Sequence, residues 1–286
     1  MAVRLLEGKK ALVSGVANRR SIAWGIAQAF HEQGARLAFT CLESACRRVA
    51  KLAAELDSDL VFPCDVSRDE EISRAFEEVG RAFDGELNVL VHSIAYARLE
   101  DLGGEFLTVS REGWRVALET SAYSLVAMAR AARPLMKAAG GGSILTLSFQ
   151  GSGKVVPSYN VMGVAKAALE SAVRYLAYDL GPDGIRVNAL SPGPIPTASA
   201  VVIERFEEST RRVEAQSPLL RSVTLQDVGS AAVFYAADAS GMITGSILNV
   251  DGGMGILISG AGPHPRAPKP GAPSMQNAEG RRQKAE

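Results

Sequence analysis

A tyrosine and a lysine lie seven positions apart in the segment 157–166, at the start of a stretch with a helical pattern. Seven residues make nearly two helical turns, so the side chains of Tyr159 and Lys166 are expected on one helix face. There the ammonium can lower the pKa of the phenol and hydrogen-bond a ribose, while the phenol donates to a developing oxyanion. Such a pair supplies the electrophilic help that hydride transfer needs.

The same spacing also arises without catalysis. A tyrosine at an interface and a lysine in solvent would share a helix face by chance. The catalytic interpretation therefore depends on whether the surrounding elements build a cofactor site next to this pair.

Strand-length runs with apolar residues on both faces recur along the chain, and amphipathic helical stretches separate them. This alternation predicts repeated βαβ units, and hence an α/β, Rossmann-like fold with one doubly wound, parallel, seven-stranded sheet. The predicted strands are 10–14, 36–40, 59–63, 88–92, 143–147, 185–190 and 246–250. Helices are predicted over 21–33, 114–137 and 159–180, the first ended by Gly34 and the last by Gly181 and Pro182.

No glycine- or proline-rich stretch long enough to separate two domains occurs before residue 258. We therefore predict one domain over 1–258. The segment 259–286 is rich in proline and then polar, so it buries too little to offset its ordering entropy and is predicted to be a flexible tail.

The loop after the first strand has features of an anion site. Gly15 permits a sharp turn, and Ser21 is expected to cap the following helix and to place a hydroxyl near a pyrophosphate. The loop lacks the Gly-x-Gly-x-x-Gly fingerprint, so an ordinary strand-to-helix turn explains it equally well on its own.

Further candidate residues follow other strands at the same predicted sheet edge, where open α/β sheets bind ligands. Asp65 and Val66 follow the third strand, and the aspartate can accept from an adenine amino group. Ser93 and Ile94 follow the fourth strand, and Ile195 follows the sixth. Each could be a cap or loop residue, and only their concurrence predicts a dinucleotide site.

The composition excludes some partners. Lysine plus arginine equals aspartate plus glutamate at 31 each, so no net field attracts nucleic acid or an anionic membrane. The three cysteines have no metal-ligand spacing or disulfide framework, so buried thiols and no metal are expected. Without a signal sequence or a long apolar run, a cytoplasmic protein is expected.

These blocks together resemble the bacterial enoyl-acyl carrier protein reductases, a divergent branch of the short-chain dehydrogenase/reductase family. Six residues between tyrosine and lysine, where most short-chain dehydrogenases have three, make the resemblance specific. It extends from residue 7 to about 256 and rests on 15–25, 37–40, 64–66, 91–94, 145–148, 159–166, 185–188, 193–195 and 250–253.

The resemblance implies that Tyr159 stabilises the enolate formed when hydride adds to the β-carbon of a trans-2-enoyl thioester, and that Lys166 holds the nicotinamide ribose. It also implies a homotetramer acting on chains carried by acyl carrier protein. The residues that would line the dinucleotide NAD are Gly15, Ser21, Ile22, Asp65, Val66, Ser93, Ile94, Lys166 and Ile195, and those that would contact the substrate are Ala95, Phe149, Tyr159 and Met162.

An acidic carrier protein would need basic residues near the portal. Arg205, Arg211 and Arg212 in the segment 201–216 are candidates, although a solvated helix face explains them equally well.

The chain departs from the family pattern at four positions, two of which are Pro192 and Pro196 in the loop expected to border the substrate. Phe149 stands where a second tyrosine is usual, and Leu42 replaces the usual polar residue at the adenosine ribose. Glu43 would accept from a ribose 2′-hydroxyl and repel a 2′-phosphate, which favours NADH over NADPH. A short-chain dehydrogenase acting on a carbonyl or hydroxyl, or a catalytically silent nucleotide-binding protein, remains the alternative function.

Overall fold

The computed structural model describes residues 4–197, 206–258 and 262–267, and leaves the side chains of 206–209 undescribed. Seven strands, numbered β1 to β7 along the chain, form one parallel sheet in the order β3-β2-β1-β4-β5-β6-β7. Their bounds are Lys10–Ser14, Arg36–Cys41, Val61–Pro63, Val89–His92, Gly142–Leu147, Ile185–Pro192 and Ile247–Val250. The predicted sheet is confirmed, and its strand ends differ from the prediction by two residues or fewer.

Within the described residues, eight α-helices connect or follow the strands and are numbered α1 to α8. Their bounds are Ile22–Glu32, Glu43–Ala53, Asp69–Ala82, Arg111–Leu118, Ser124–Ala138, Asn160–Leu180, Phe206–Gln216 and Leu225–Ala236. The predicted single helix over 114–137 is wrong in two respects. It begins earlier, where Ser110 caps α4, and a π-helical turn over Glu119–Tyr123 separates α4 from α5.

The helices cover both faces of the sheet, as double winding requires. Alternating side chains of β1 belong to different cores: Ala11 and Val13 pack with α1, α2 and α8, whereas Leu12 packs with α3, α5 and α6. The five inner strands are mostly buried on both faces, so their apolar residues run continuously, whereas the edge strands β3 and β7 are partly exposed.

The strand order reverses between β1 and β4, and this is the point where open α/β sheets bind ligands. The register places Ser14 beside Thr40 on one side and beside His92 on the other. His92 in turn lies beside Thr146 of β5. The loops that carry the candidate residues therefore start from neighbouring strand ends.

The cysteine expectation is wrong for two of the residues. Cys41 and Cys46 form a disulfide across the turn between β2 and α2, because the end of the strand and the first turn of the helix bring their sulfur atoms together. Cys64 is a buried free thiol, as expected, and burial raises its pKa to about 12.

The predicted tail lies mostly outside the described residues. In its described part the backbone amide of His264 donates to the carbonyl of Ala215 in α7, over 2.8 Å. The domain boundary at residue 258 stays a prediction. Among the described helices, none has the length and apolar character needed to cross a membrane.

Candidate active site

The loop after β1 touches the loop after β4 because position 15 has no side chain. Gly15 has a φ of +94°, and a Cβ atom there would overlap the carbonyl oxygen of Ser93. Both the backbone conformation and the close approach therefore require glycine. This contact joins two of the predicted cofactor-binding residues across the switch point of the sheet.

Ser21 occupies the N-cap position of α1, but its side chain does not cap the helix. Its hydroxyl instead accepts from the backbone amides of Ala17 and Asn18, both over 3.0 Å, which tightens the preceding loop. The predicted capping role is thus wrong, because the hydroxyl accepts hydrogen bonds from the loop amides and not from the amides of the helix. The first turn of α1, including Ile22, is left without a side-chain cap and with its dipole directed at the loop.

The expected adenosine end lies at β2 and β3. Asp65 is half-buried, and its Oδ1 accepts from the backbone amide and the hydroxyl of Ser67, so the aspartate also organises its own turn. Val66 is buried next to it. Leu42 and Glu43 at the start of α2 are exposed, which leaves the Glu43 carboxylate at the rim of this region.

His92 forms a buried hydrogen-bonded centre that the sequence analysis did not single out. Its ring contacts the hydroxyls of Thr146 at 2.9 Å and Ser124 at 2.8 Å. Burial, and then the nearby charge of Lys166, lowers the pKa of His92 from 6.5 to about 3. The histidine is therefore a neutral link between β4, β5 and the start of α5.

Lys166 is an almost fully buried lysine, only 5% exposed. Its Nζ donates to the carbonyl oxygen of Leu147 at the end of β5, over 2.6 Å. Burial lowers the pKa of Lys166 to about 8, and Glu170 opposes that shift. The side chain therefore still carries a positive charge at neutral pH.

Tyr159 is the N-cap residue of α6, and its two neighbours Ser158 and Asn160 have positive φ values of 61° and 28°. The side-chain amide of Asn160 donates to the carbonyl of Gly103, over 3.0 Å, which ties this strained start of the helix to another loop. The expectation of a lowered phenol pKa is wrong for this arrangement. Burial raises the pKa of Tyr159, while Lys166 directs its ammonium to Leu147.

Phe149 packs its ring against that of Tyr159, with centroids 5.0 Å apart and an interplanar angle of 66°. Gly151 makes room for this pair, since a Cβ atom there would lie 2.8 Å from the Tyr159 ring. The residue that replaces the expected second tyrosine thus contacts the first one directly.

Ser121, on the π-helical turn, connects the loop after β4 to α6. Its hydroxyl accepts from the Tyr96 amide at 2.9 Å and lies 3.7 Å from the sulfur of Met162, which is buried. Ala95, next to Tyr96, is exposed. No periodicity in the sequence indicated the π turn, so Ser121 was missed.

The remaining predicted residues have varied positions. Ile94 is half-buried against the core, and Ile195 is buried three residues after the end of β6. Arg211 and Arg212 are exposed on α7, and the Nε of Arg212 donates to Gln216 over 2.8 Å. Arg205 lies outside the described residues.

These residues together fit a dinucleotide and a reducible carbonyl compound. A pyrophosphate suits this edge of the sheet for three reasons. The loop after β1 requires glycine at position 15, the N-terminus of α1 has no side-chain cap, and both lie at the switch point of the parallel sheet. At the start of α6, between β5 and β6, Tyr159 supplies a phenol that keeps its proton and Lys166 supplies a buried ammonium. Such a pair can bind a ribose and donate to an oxyanion.

Comparison with known proteins extends this result. A family model described as Enoyl-(Acyl carrier protein) reductase matches residues 15–255. The NADH-dependent enoyl-acyl carrier protein reductase of Neisseria meningitidis serogroup B is 50% identical over 253 residues, covering 88% of this chain and 96% of that protein.

Solved structures agree. The Bacillus cereus enoyl-acyl carrier protein reductase with NADP+ and indole naphthyridinone is 48% identical with a TM-score of 0.87, over 89% of this chain and 99% of that one. The Anaplasma phagocytophilum reductase in complex with NAD is 42% identical with a TM-score of 0.87, over 92% and 99%. The chain therefore belongs to the enoyl-acyl carrier protein reductase family.

Proposed function

We propose that this chain reduces the carbon–carbon double bond of a trans-2-enoyl thioester with NADH, in fatty-acid synthesis. The observation that carries the proposal is the pair on α6. Tyr159, packed on Phe149, and the buried Lys166 start the helix at the sheet edge where this family's fold binds its ligands.

NADH would be held by the residues predicted for it, from Gly15 and Ser21 on the adenosine side to Lys166 on the nicotinamide side. The pyrophosphate suits the uncapped start of α1, where helix amides favour an anion. When bound, the reduced nicotinamide supplies the hydride that the β-carbon of the substrate receives.

Tyr159 acts on the thioester oxygen. Because burial raises its pKa, the phenol keeps its proton at neutral pH and can donate a hydrogen bond to the negative charge that develops there. Phe149 holds the ring from the side, and together with Ala95 and Met162 it would border the acyl chain. A phenyl ring at 149 offers packing but no second donor.

Lys166 acts on the cofactor ribose. Its ammonium already donates to Leu147, and its remaining N–H groups can donate to ribose hydroxyls. Since its pKa is about 8, the charge is present at neutral pH and is lost as the pH rises through that value. Binding of NADH should weaken over the same range.

Glu43 supports NADH as the preferred donor. It is exposed at the start of α2, next to Leu42, which can offer no polar contact to a ribose. A carboxylate there would accept from a 2′-hydroxyl and repel the 2′-phosphate of NADPH.

The substrate would arrive on acyl carrier protein in the cytoplasm, and the working unit would be a homotetramer. The exposed Arg211 and Arg212 of α7 suit an acidic carrier. Exposed aromatic residues on the outer face of α6, Tyr175 and Tyr178, suit an interface between copies of the chain.

The test is a spectrophotometric assay with a crotonyl thioester and NADH or NADPH. Loss of the nicotinamide absorbance, faster with NADH, is the expected result. No loss with either cofactor across several acyl lengths, or turnover of ketones and alcohols in its place, would overturn the proposal.

A further inference from the structure

Glu170 lies one helical turn beyond Lys166 on α6, outside the set of residues so far assigned a role. Residues four apart on a helix have side chains that are direct neighbours, about 5–6 Å apart at Cβ. The Glu170 side chain is half-buried. Its position therefore lets one carboxylate act on the buried ammonium from the same helix face.

The Glu170 carboxylate also holds the loop between β5 and α6. Its Oε1 accepts from the hydroxyl of Ser152 over 2.6 Å and from the hydroxyl of Ser148, a residue directly after β5. These two serines lie on either side of Phe149. Two charge-assisted hydrogen bonds to one oxygen therefore fix both ends of the segment that carries the Phe149 ring.

The groups around Lys166 come from three elements. From β5, the Leu147 carbonyl oxygen accepts a hydrogen bond from its ammonium. From β4, His92 is neutral because burial lowers its pKa to about 3. On α6, Tyr159 keeps its proton since burial raises its pKa. Glu170 is the group whose negative charge raises the pKa of Lys166 against the effect of burial.

We propose that Glu170 is a positioning residue for hydride transfer, which keeps Lys166 cationic for the cofactor ribose and holds Phe149 against Tyr159. This inference rests on the proposed function for its consequence in turnover. The claim that Glu170 keeps Lys166 cationic concerns the free protein, so it can be tested without substrate.

The first experiment reads the charge of Lys166 directly. Protein labelled with carbon-13 at lysine Cε is titrated by NMR without cofactor, and a Lys166→Met variant assigns the signal. In Glu170→Gln, which keeps an acceptor oxygen for both serines, the Lys166 midpoint should fall by roughly one pH unit. In Ser152→Ala, which keeps the charge, the midpoint should stay unchanged.

The second experiment follows NADH binding by fluorescence as the pH rises. The pH at which affinity is lost should move downward in Glu170→Gln, giving a roughly fivefold weaker affinity at pH 8. Glu170→Asp, which restores a carboxylate, should recover most of the affinity. If Glu170→Gln does not fold, Glu170→Asn takes its place, because it lacks the charge and matches Glu170→Asp in size.

The third readout separates holding the loop from setting the charge. Ser152→Ala should lower kcat by roughly tenfold, about the effect of one lost hydrogen bond, with an unchanged pH profile of NADH binding. An unshifted Lys166 midpoint in Glu170→Gln, or unchanged kcat in Ser152→Ala, would overturn the corresponding half of the inference. A shifted midpoint in a protein without enoyl reductase activity would instead refute the proposed function alone.

Discussion

Burial moves the pKa of Lys166 down to about 8 and that of Tyr159 up, because both shifts favour the neutral form of the side chain. At neutral pH the phenol is therefore a donor and the lysine is still cationic. This combination suits a site that must donate to an oxyanion and bind a ribose. The sequence spacing predicted the pair but assigned the wrong direction to the phenol, because burial cannot be read from spacing.

His92 should make the protein sensitive to acid. Its folded pKa of about 3 lies below the ordinary value of 6.5, so the unfolded chain takes up the proton first as the pH falls. Stability is fully present above pH 6.5 and is lost progressively toward pH 3, with about 2 kcal/mol gone at pH 5. Urea unfolding at pH 7.5 and pH 5 measures the loss.

In His92→Asn, the drop in unfolding free energy between those two pH values should shrink by about 2 kcal/mol. An equal drop in His92→Asn and the parent would show that His92 does not titrate on unfolding.

Phe149→Tyr should leave folding intact and raise turnover. The ring already packs against Tyr159, so a hydroxyl added at its edge extends the same surface and offers a second donor toward the thioester oxygen. The expected gain is roughly tenfold in kcat, about one hydrogen bond. Steady-state kinetics with a crotonyl thioester measure it, and Phe149→Leu, which removes the ring contact, is expected to be slower than the parent. A flat kcat would contradict a role for the missing phenol.

At the scale of elements, strands were predicted better than the helix around residue 120. Continuous apolar runs identify buried parallel strands in the sequence. The π turn over Glu119–Tyr123 has no such signal, because the helical periodicity continues on either side of it. The π turn places Ser121 in contact with Tyr96 and Met162. The next residue after the turn is Ser124, which hydrogen-bonds His92. Only the three-dimensional structure connects these residues.

Gly15→Ala tests the junction between the loops after β1 and β4. An added Cβ would overlap the Ser93 carbonyl, and the backbone φ of +94° disfavours any side chain. The variant should lose NADH affinity by at least roughly tenfold and be less stable by about 1–3 kcal/mol. Calorimetric titration and urea unfolding measure the two effects.

Gly181→Ala is the matched control, since nothing lies within 4 Å of the Cβ it would add. It should bind NADH like the parent. Normal NADH affinity in Gly15→Ala would contradict the view that contact between these loops forms the cofactor site.

At the scale of the whole molecule, the single parallel seven-stranded sheet and its two helical layers followed from apolar patterning. The oligomeric state does not follow from that patterning. It depends on which exposed residues meet a second copy, and Tyr175 and Tyr178 on α6 are 73% and 83% exposed. A pair of exposed tyrosines one turn apart is an expected site of association.

The double variant Tyr175→Glu/Tyr178→Glu should therefore dissociate the proposed homotetramer. Light scattering after size exclusion should give a smaller mass than for the parent. Ala50→Glu, at an exposed position on α2, adds charge elsewhere and should leave the mass unchanged. A parent that is already monomeric, or an unaltered mass in the double variant, would refute this interface.

The most direct measurement of the central claim compares Tyr159→Phe with the parent in two assays on the same sample. Because the phenyl ring keeps its packing on Phe149 and loses only the donor, NADH affinity by fluorescence should stay within about twofold of the parent's. The rate of crotonyl thioester reduction should fall by roughly a hundredfold or more. Undiminished turnover in Tyr159→Phe would contradict the account, and so would a loss of NADH binding that by itself explains the slower rate.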